Sequence, residues 1–235
     1  MKEGDSIFVN GYLLEEFFKN IHPKIPMSYI LISHNSDNAV PHKFFSYLND
    51  SKIISWFGQN VHLKHPKIIA LPIGLANSQY KHGNIQLLKK IQKQKPEKKN
   101  LLYMNFLIEN YPRNRSKVYE IFAGKNYCYI AKNKTYEEYL KDIAESKFVL
   151  SPRGNGLDCH RTWEALYLGS VPIVESSALD PLFENLPVLI IKNWEEINEE
   201  MLNNFYEKTK NEKFQKEKLF MQYWHDLIKE NGKKL

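Results

Sequence analysis

The segment SPRGNGLDCHRTWEALYLGSVPIVE, residues 151–175, holds the densest group of side chains that could bind an anion. An apolar run ends at Leu150, a glycine-containing loop follows, and the periodicity predicts a helix over residues 160–168. A strand, loop and helix in this order present backbone N–H groups and the positive end of the helix dipole to a phosphate. The candidate ligand-binding residues in this segment are Arg153, Gly154, Asn155, Gly156, Asp158, His160, Arg161 and Glu164.

In the predicted helix, Glu164 lies four residues after His160 and three after Arg161, so we expect all three on one side of the first turns. A phosphate would repel the Glu164 carboxylate, so Glu164 is expected to accept hydrogen bonds from neutral hydroxyls such as those of a ribose. An ion pair with Arg161 or His160 is the alternative that spacing leaves open. Arg115, at the start of a helix predicted over residues 113–124, could reach the same phosphates or stay solvated.

The polar cluster SHNSD, residues 33–37, follows a buried strand and supplies the candidate catalytic base. Ligand sites of α/β sheets lie at the carboxyl ends of their strands. Asp37 is the first candidate for a base that removes a hydroxyl proton, and His34 is the second. A hydrogen-bonded turn or a helix cap is the alternative interpretation of both residues.

A dinucleotide-binding oxidoreductase is a second functional class to weigh. GNGLDC matches the first two glycines of G-x-G-x-x-G, and Glu175 ends the next predicted strand about 20 residues later, where a ribose-binding acid is expected. Cys159 replaces the third glycine, which normally lets helix and strand pack closely. The incomplete motif makes an NAD(P) enzyme the alternative function, not the leading one.

Composition limits the remaining classes. The chain has 235 residues, 43% of them hydrophobic, and a net charge of +6, which suits an anionic partner. Cys128 and Cys159 form no C-x-x-C pair, so neither a zinc site nor a disulfide framework is predicted and a reducing compartment is expected. With no signal-peptide pattern and no apolar run long enough for a membrane span, we expect a soluble cytoplasmic protein, with peripheral membrane contact left open.

The basic charge also raises a third class, a module that binds nucleic acid or an anionic surface. Six lysines surround Pro96 in KKIQKQKPEKK, residues 89–99, which is typical of a solvated linker or helix end. No RNA-recognition pattern of interleaved aromatic and basic residues occurs. Nucleic acid is therefore not an expected partner.

Apolar runs alternate with helical patterns, which indicates parallel sheets with crossover helices. Strands are predicted at residues 6–10, 28–33, 52–58, 67–74, 100–106, 127–131, 147–151 and 171–175, and helices at residues 12–21, 113–124, 135–146 and 160–168. Thr135 followed by Glu138 predicts a capping box. Because the alternation restarts after the lysine-rich run, we place an N-terminal domain at residues 1–94 and a C-terminal domain at 95–235, whose last helix could pack back on the first domain.

The order of residues 151–174 resembles the C-terminal motif of exostosin-like (GT47-type) glycosyltransferases, in which a Pro and Gly loop leads to an Arg, an EAL helix and a VPIV strand. The matching positions are Pro152, Gly154, Arg161, Glu164, Ala165, Gly169, Pro172 and Val174. Residues 33–37, 71–84 and 103–117 look like blocks of short microbial or viral members, so the resemblance spans residues 5–190.

The resemblance implies an α/β fold of GT-B type, with two Rossmann-like domains built on parallel sheets and a short N-terminal domain. It implies an inverting, metal-independent hexosyl- or pentosyltransferase that uses a nucleotide-diphosphate sugar, with UDP favoured, and a glycan or glycoconjugate acceptor. No D-x-D triplet occurs, and no cofactor or metal is expected. The donor would bind at the second domain and the acceptor at the first.

Overall fold

The protein, described here by a computed structural model over residues 1–233, is built on two parallel sheets. Its strands are β1 (Ser6–Asn10), β2 (Tyr29–His34), β3 (Ile53–Gly58), β4 (Ile68–Ala70), β5 (Asn100–Met104), β6 (Cys128–Ile130), β7 (Ser146–Leu150), β8 (Val171–Glu175) and β9 (Leu189–Ile191). Its α-helices are α1 (Leu14–Glu16), α2 (Ile85–Gln94), α3 (Pro112–Phe122), α4 (Tyr136–Ala144), α5 (His160–Tyr167), α6 (Glu199–Thr209) and α7 (Met221–Gly232). Shorter 3₁₀ segments are Gly11–Leu13, His22–Lys24, His42–Asn49, Ile108–Asn110, Asp180–Phe183, Trp194–Glu196 and Lys216–Leu219, and Phe17–Ile21 is a π-helical turn.

The first sheet has the order β1-β2-β3-β4 and the second has the order β6-β5-β7-β8-β9. Every neighbouring pair of strands is parallel, so the carboxyl ends of all strands in a sheet meet at one edge. Ligands of such sheets bind at that edge. Two parallel α/β sheets are the GT-B-like architecture that the sequence predicts.

The hydrophobic core of the first sheet draws on both parts of the chain. Trp56 of β3 is fully buried in this core. Buried side chains from the later part of the chain pack in the same core, namely Trp163 of α5, Phe183 of a 3₁₀ segment and Trp224 of α7. Helix α7 lies against β2 and β3, although it follows the second sheet in the chain. The division of the chain at residue 94 stays a prediction.

Most predicted elements form close to their predicted bounds. Two examples are strand β8 and the capping box of helix α4. β8 covers residues 171–175 as predicted. The predicted capping box forms at α4: the Glu138 backbone N–H donates to Thr135 Oγ1 at 3.3 Å, and the Thr135 backbone N–H donates to Glu138 Oε2 at 2.8 Å. The capping box involves only residues close together in the chain, which is why the sequence pattern predicts it.

Two predicted elements are wrong in extent. The helix predicted over residues 12–21 is instead a series of 3₁₀, α and π turns, in which adjacent Phe17 and Phe18 are both buried. The strand predicted over residues 67–74 ends at Ala70, because Pro72 has no N–H group to extend the ladder.

Replacing Trp224 tests whether α7 is part of the first core. Trp224 is 7% exposed, and its indole N–H donates to the Lys218 carbonyl at 2.9 Å. We expect Trp224→Ala to lower the free energy of unfolding by about 3–5 kcal/mol, measured by urea denaturation, because it leaves a cavity against β2 and β3. Met221→Ala on the same helix, at a side chain that is 81% exposed, is the control and should change it by less than about 0.5 kcal/mol. Similar values for both variants would contradict this packing.

Candidate active site

Asp158 joins the loop after β7 to the segment that follows β4. Its carboxylate accepts hydrogen bonds from the backbone N–H groups of Ile73 at 2.7 Å and Cys159 at 2.8 Å, and from the indole N–H of Trp163 at 2.8 Å. Burial raises the pKa of Asp158 to about 6, while these three donors oppose the rise. Asp158, a predicted ligand contact, therefore serves the contact between the two sheets.

Asn60, which follows β3, locks into the same loop. Its side chain accepts from the Asp158 backbone N–H at 3.0 Å and donates to the Ser36 carbonyl at 3.0 Å, and the residue is fully buried. A Cβ atom on Gly156 would lie 2.7 Å from Asn60 Nδ2. Asn60 therefore requires a residue without a Cβ atom at position 156, and the expected ligand contact of Gly156 stays a prediction.

The preceding glycine, Gly154, packs in a similar way on Arg115. A Cβ atom there would lie 3.0 Å from Arg115 Nη2. Arg115 is 3% exposed and donates to the carbonyls of Arg153 at 2.9 Å and Leu107 at 2.7 Å. Arg115 thus supports the predicted anion-binding loop, and most of its N–H groups donate hydrogen bonds to backbone carbonyl oxygens.

Arg161 lies beside Arg115 at the carboxyl end of β5. Both guanidinium groups lie 5.6 Å from the centre of the Phe106 ring, and Arg161 Nε donates to the Asn105 carbonyl at 3.0 Å. Arg161 Nη1 is buried without a hydrogen-bond partner among the described residues. Burial and then the Arg161 charge lower the pKa of Arg115.

The arginines of this region have no compensating acids. The chain contains four arginines, at positions 113, 115, 153 and 161. Within residues 1–233 none of them forms an ion pair with a carboxylate. Half-buried Arg153 lies over the Tyr111 ring at 4.4 Å and donates to the carbonyl of exposed Asn155 at 3.1 Å. The guanidinium groups around the loop therefore have no carboxylate within ion-pair distance in the described chain.

Glu164 faces two tyrosines. It is 3% exposed and accepts hydrogen bonds from the hydroxyls of Tyr136 at 2.9 Å and Tyr139 at 2.7 Å. Burial, followed by the Glu164 charge, raises the pKa of both tyrosines. The suggested ion pair with Arg161 or His160 does not form within the described residues, and a ribose contact would have to use the lone pairs that the tyrosines leave.

A cavity of about 500 Å³ opens at the carboxyl edge of the first sheet, facing the start of α5. His34, Asp37 and His160 all line it. His160 Nδ1 lies 2.7 Å from the Gly74 carbonyl, whereas His34 contacts the Pro72 carbonyl through Nε2 at 3.0 Å and the Asn35 side chain through Nδ1 at 2.9 Å. Asp37 is exposed at its rim. The two predicted base candidates and one predicted donor contact thus share one cavity.

The predicted site residues form two groups on either side of the loop after β7. Arg115, Arg153 and Arg161 lie around the end of β5, and His34, Asp37 and His160 lie at the cavity. Asn60, Tyr136 and Tyr139 were not predicted. Asn60 follows an apolar strand as His34 does, and this was a signal available in the sequence, whereas nothing local marks the tyrosines as partners of Glu164.

The part of the chain that the structure describes holds no cluster of three or more His, Cys, Asp or Glu side chains placed to bind a metal ion. Likewise, none of its described helices is both long enough and apolar enough to cross a membrane.

The Gly156 contact yields a stability test. We expect Gly156→Ala to lower the free energy of unfolding by about 1–3 kcal/mol, because the new methyl group collides with the buried Asn60 amide. The matched control is Gly124→Ala, where the added carbon meets nothing within 4 Å. Urea denaturation of both variants measures the difference. A Gly156→Ala protein as stable as the control would show that the loop moves freely against Asn60.

The family model described as the RXYLT1 C-terminal domain matches residues 93–234, more than half of the chain. No curated protein matches the sequence significantly. Among solved structures, a chain of the crystal structure of the GtfA/B complex aligns at 16% identity and a TM-score of 0.36. The alignment covers 99% of this chain and 58% of that one, so the protein spans less than two thirds of that neighbour's length.

The oxidoreductase alternative finds no support. Gly154 and Gly156 pack against protein side chains, and exposed Glu175 accepts hydrogen bonds from Asn114 at 2.9 Å and from the Trp194 indole at 3.3 Å. The assignment to the GT47 group stays a prediction. The family match supports only the broader assignment to a glycosyltransferase family. The chain belongs to the RXYLT1 C-terminal domain family, a family of glycosyltransferases.

Proposed function

We propose that the protein transfers a hexosyl or pentosyl group from a nucleotide-diphosphate sugar, with UDP favoured, to a hydroxyl of a glycan or glycoconjugate. The observation that carries this proposal is the pair of adjacent guanidiniums, Arg115 and Arg161, which lack a carboxylate partner in the described chain. An unpaired buried donor costs about 1–3 kcal/mol. A diphosphate at Arg161 would satisfy that donor and neutralise the local charge.

The three arginines would have different roles in this proposal. Arg161 Nη1 has no partner to give up, so it can bind a phosphate oxygen directly. Arg153 is half-buried on the loop and can add a second contact. Arg115 keeps its bonds to backbone carbonyls and adds a positive charge behind the loop. Fixed positive charge of this kind stabilises the negative charge that grows on a leaving diphosphate.

The cavity at the first sheet would hold the acceptor. It lies at the strand ends, and amide, hydroxyl and imidazole groups line it, among them Asn10, Gln59 and Asn77. Such groups both donate and accept hydrogen bonds, which suits the hydroxyls of a carbohydrate. The acceptor hydroxyl would attack from the side opposite the diphosphate, which gives an inverting reaction with the base in the cavity.

Arg161→Met tests the diphosphate contact. Charged hydrogen bonds contribute about 1.5–3 kcal/mol, so the Kd of UDP should rise about 10- to 100-fold while the Kd of uridine stays nearly constant. Isothermal titration calorimetry measures both constants. Arg113→Met removes the same charge from an exposed position of α3 and should leave UDP affinity within about threefold.

Two outcomes would contradict the proposal. The first is that UDP does not bind the wild-type protein. The second is that Arg161→Met and Arg113→Met lower UDP affinity equally, because the effect would then be the net charge and not a defined contact.

Metal independence is a separate prediction. In this proposal, arginines neutralise the charge of the diphosphate. We therefore expect UDP release from UDP-sugars to slow by less than about twofold when EDTA is present in about fivefold molar excess over total divalent metal. Adding Mg²⁺ or Mn²⁺ back should not stimulate it. A rate that falls more than tenfold with EDTA and returns with Mn²⁺ would overturn this part.

A further inference from the structure

The hydrogen bond between His160 and Gly74 fixes which ring nitrogen of His160 carries the proton. Nδ1 lies 2.7 Å from the Gly74 carbonyl oxygen. A carbonyl oxygen only accepts hydrogen bonds, so Nδ1 must carry the hydrogen and donate it. In the neutral imidazole, the basic lone pair is then on Nε2. No group within residues 1–233 forms a hydrogen bond with Nε2 in this structure.

The other titratable groups of the cavity are less suited to take a proton. His34 Nε2 donates to the Pro72 carbonyl at 3.0 Å, and its Nδ1 contacts the Asn35 side chain at 2.9 Å, so both nitrogens are engaged. Asp37 and His82 are exposed, and the His82 ring stacks on Tyr80. His160 is half-buried and keeps an open basic nitrogen.

The start of α5 also places His160 correctly with respect to the arginines. Consecutive residues of a helix point about 100° apart. His160 lines the cavity of the first sheet, whereas Arg161 contacts Asn105 and Phe106 at the second sheet. An acceptor at His160 and a diphosphate at Arg161 would therefore lie on different sides of one helical turn, with the transferred sugar between them.

We propose that His160 Nε2 is the general base of the transfer, in place of Asp37 or His34; the inference rests on the proposed function. Nε2 takes the proton of the acceptor hydroxyl as the hydroxyl oxygen forms its bond to the anomeric carbon. The bond from that carbon to the diphosphate oxygen breaks, and its electron pair stays on the diphosphate. The imidazolium keeps its Nδ1–H bond to Gly74 and then releases the Nε2 proton to water.

Several charged or titratable groups surround His160 and enter its pH dependence. The His82 ring centre lies 6.0 Å away, and His34 and Asp37 line the same cavity. Asp158 and Arg161 flank it along the chain. Tyr136 lies behind His82, with ring centres 6.5 Å apart.

The test is release of UDP from UDP-glucose, UDP-galactose, UDP-xylose and UDP-N-acetylglucosamine with water as the acceptor, compared for wild type, His160→Gln and His160→Ala. A lost general base lowers kcat by about 10²- to 10⁴-fold, and we expect KM and the Kd of UDP to stay within about threefold. The wild-type kcat should fall toward acid pH as the base is protonated, and this limb should be absent in His160→Gln. Added imidazole should restore part of the His160→Ala rate.

The matched control is His62→Gln. His62 Nδ1 also contacts a backbone carbonyl, that of Val40 at 2.9 Å, but His62 does not line the cavity. Its kcat should equal that of wild type. Circular dichroism melting curves show whether each variant is folded, and His160→Ala replaces His160→Gln if the latter is not.

Three results would overturn the inference. One is a His160→Gln kcat within tenfold of wild type with its acid limb retained, while UDP still binds; the proposed function would then stand without this base. Another is that Asp37→Asn, and not His160→Gln, loses activity and the acid limb. The third is that wild type neither binds UDP nor releases it from these sugars, which would remove the proposed function as well.

Discussion

The buried carboxylate of Asp158 is the contact on which the arrangement of the site depends. The carboxylate accepts hydrogen bonds from the backbone N–H of Ile73, which follows the first sheet, and from Cys159 and Trp163 at the start of α5. The backbone N–H of Asp158 donates to the side chain of Asn60. A carboxylate taken out of water needs this many donors to offset its desolvation. Since the donors come from both sheets, the carboxylate is satisfied only when the sheets lie in this relation. The cavity and the arginine loop are thereby fixed with respect to each other.

The uncompensated arginines show the opposite use of charge. Among the described residues, buried Arg115 has no carboxylate partner, and its neighbour Arg161 has a buried N–H group without a hydrogen-bond partner. Such an arrangement lowers stability, because burial and like charge both disfavour the guanidinium cations. An anionic ligand would offset both the desolvation of the guanidinium groups and their mutual repulsion. The free energy that these groups cost the unbound protein would then favour binding of the ligand. Sites that trade stability for binding in this way are a common feature of enzymes.

The sequence predicts the parallel sheets and most element bounds, because these depend on local periodicity and on strand, loop and helix order. It does not predict what the glycines and Glu164 contact. Nothing near Gly156 in the sequence indicates that Asn60, distant in the chain, would lie where a Cβ atom of residue 156 would be. Glu164 was expected to meet a ribose or a basic side chain, and two tyrosines of α4 take its oxygens. Partners from other elements are set by tertiary packing, which spacing within one helix does not encode.

One helical turn can carry groups for both halves of the proposed transfer. His160 and Arg161 are adjacent, and a helix directs adjacent side chains to different sides. Asp158, two residues earlier than His160, fixes that turn through Trp163 and Ile73, and the Gly74 carbonyl, next to Ile73, fixes the imidazole tautomer. The contact that joins the sheets and the contact that orients the proposed base therefore come from the same two neighbouring backbone groups. A shift of the segment containing Ile73 and Gly74 would break the Asp158 contact between the sheets and misplace His160 together, so the position of the proposed base depends on the contact between the sheets.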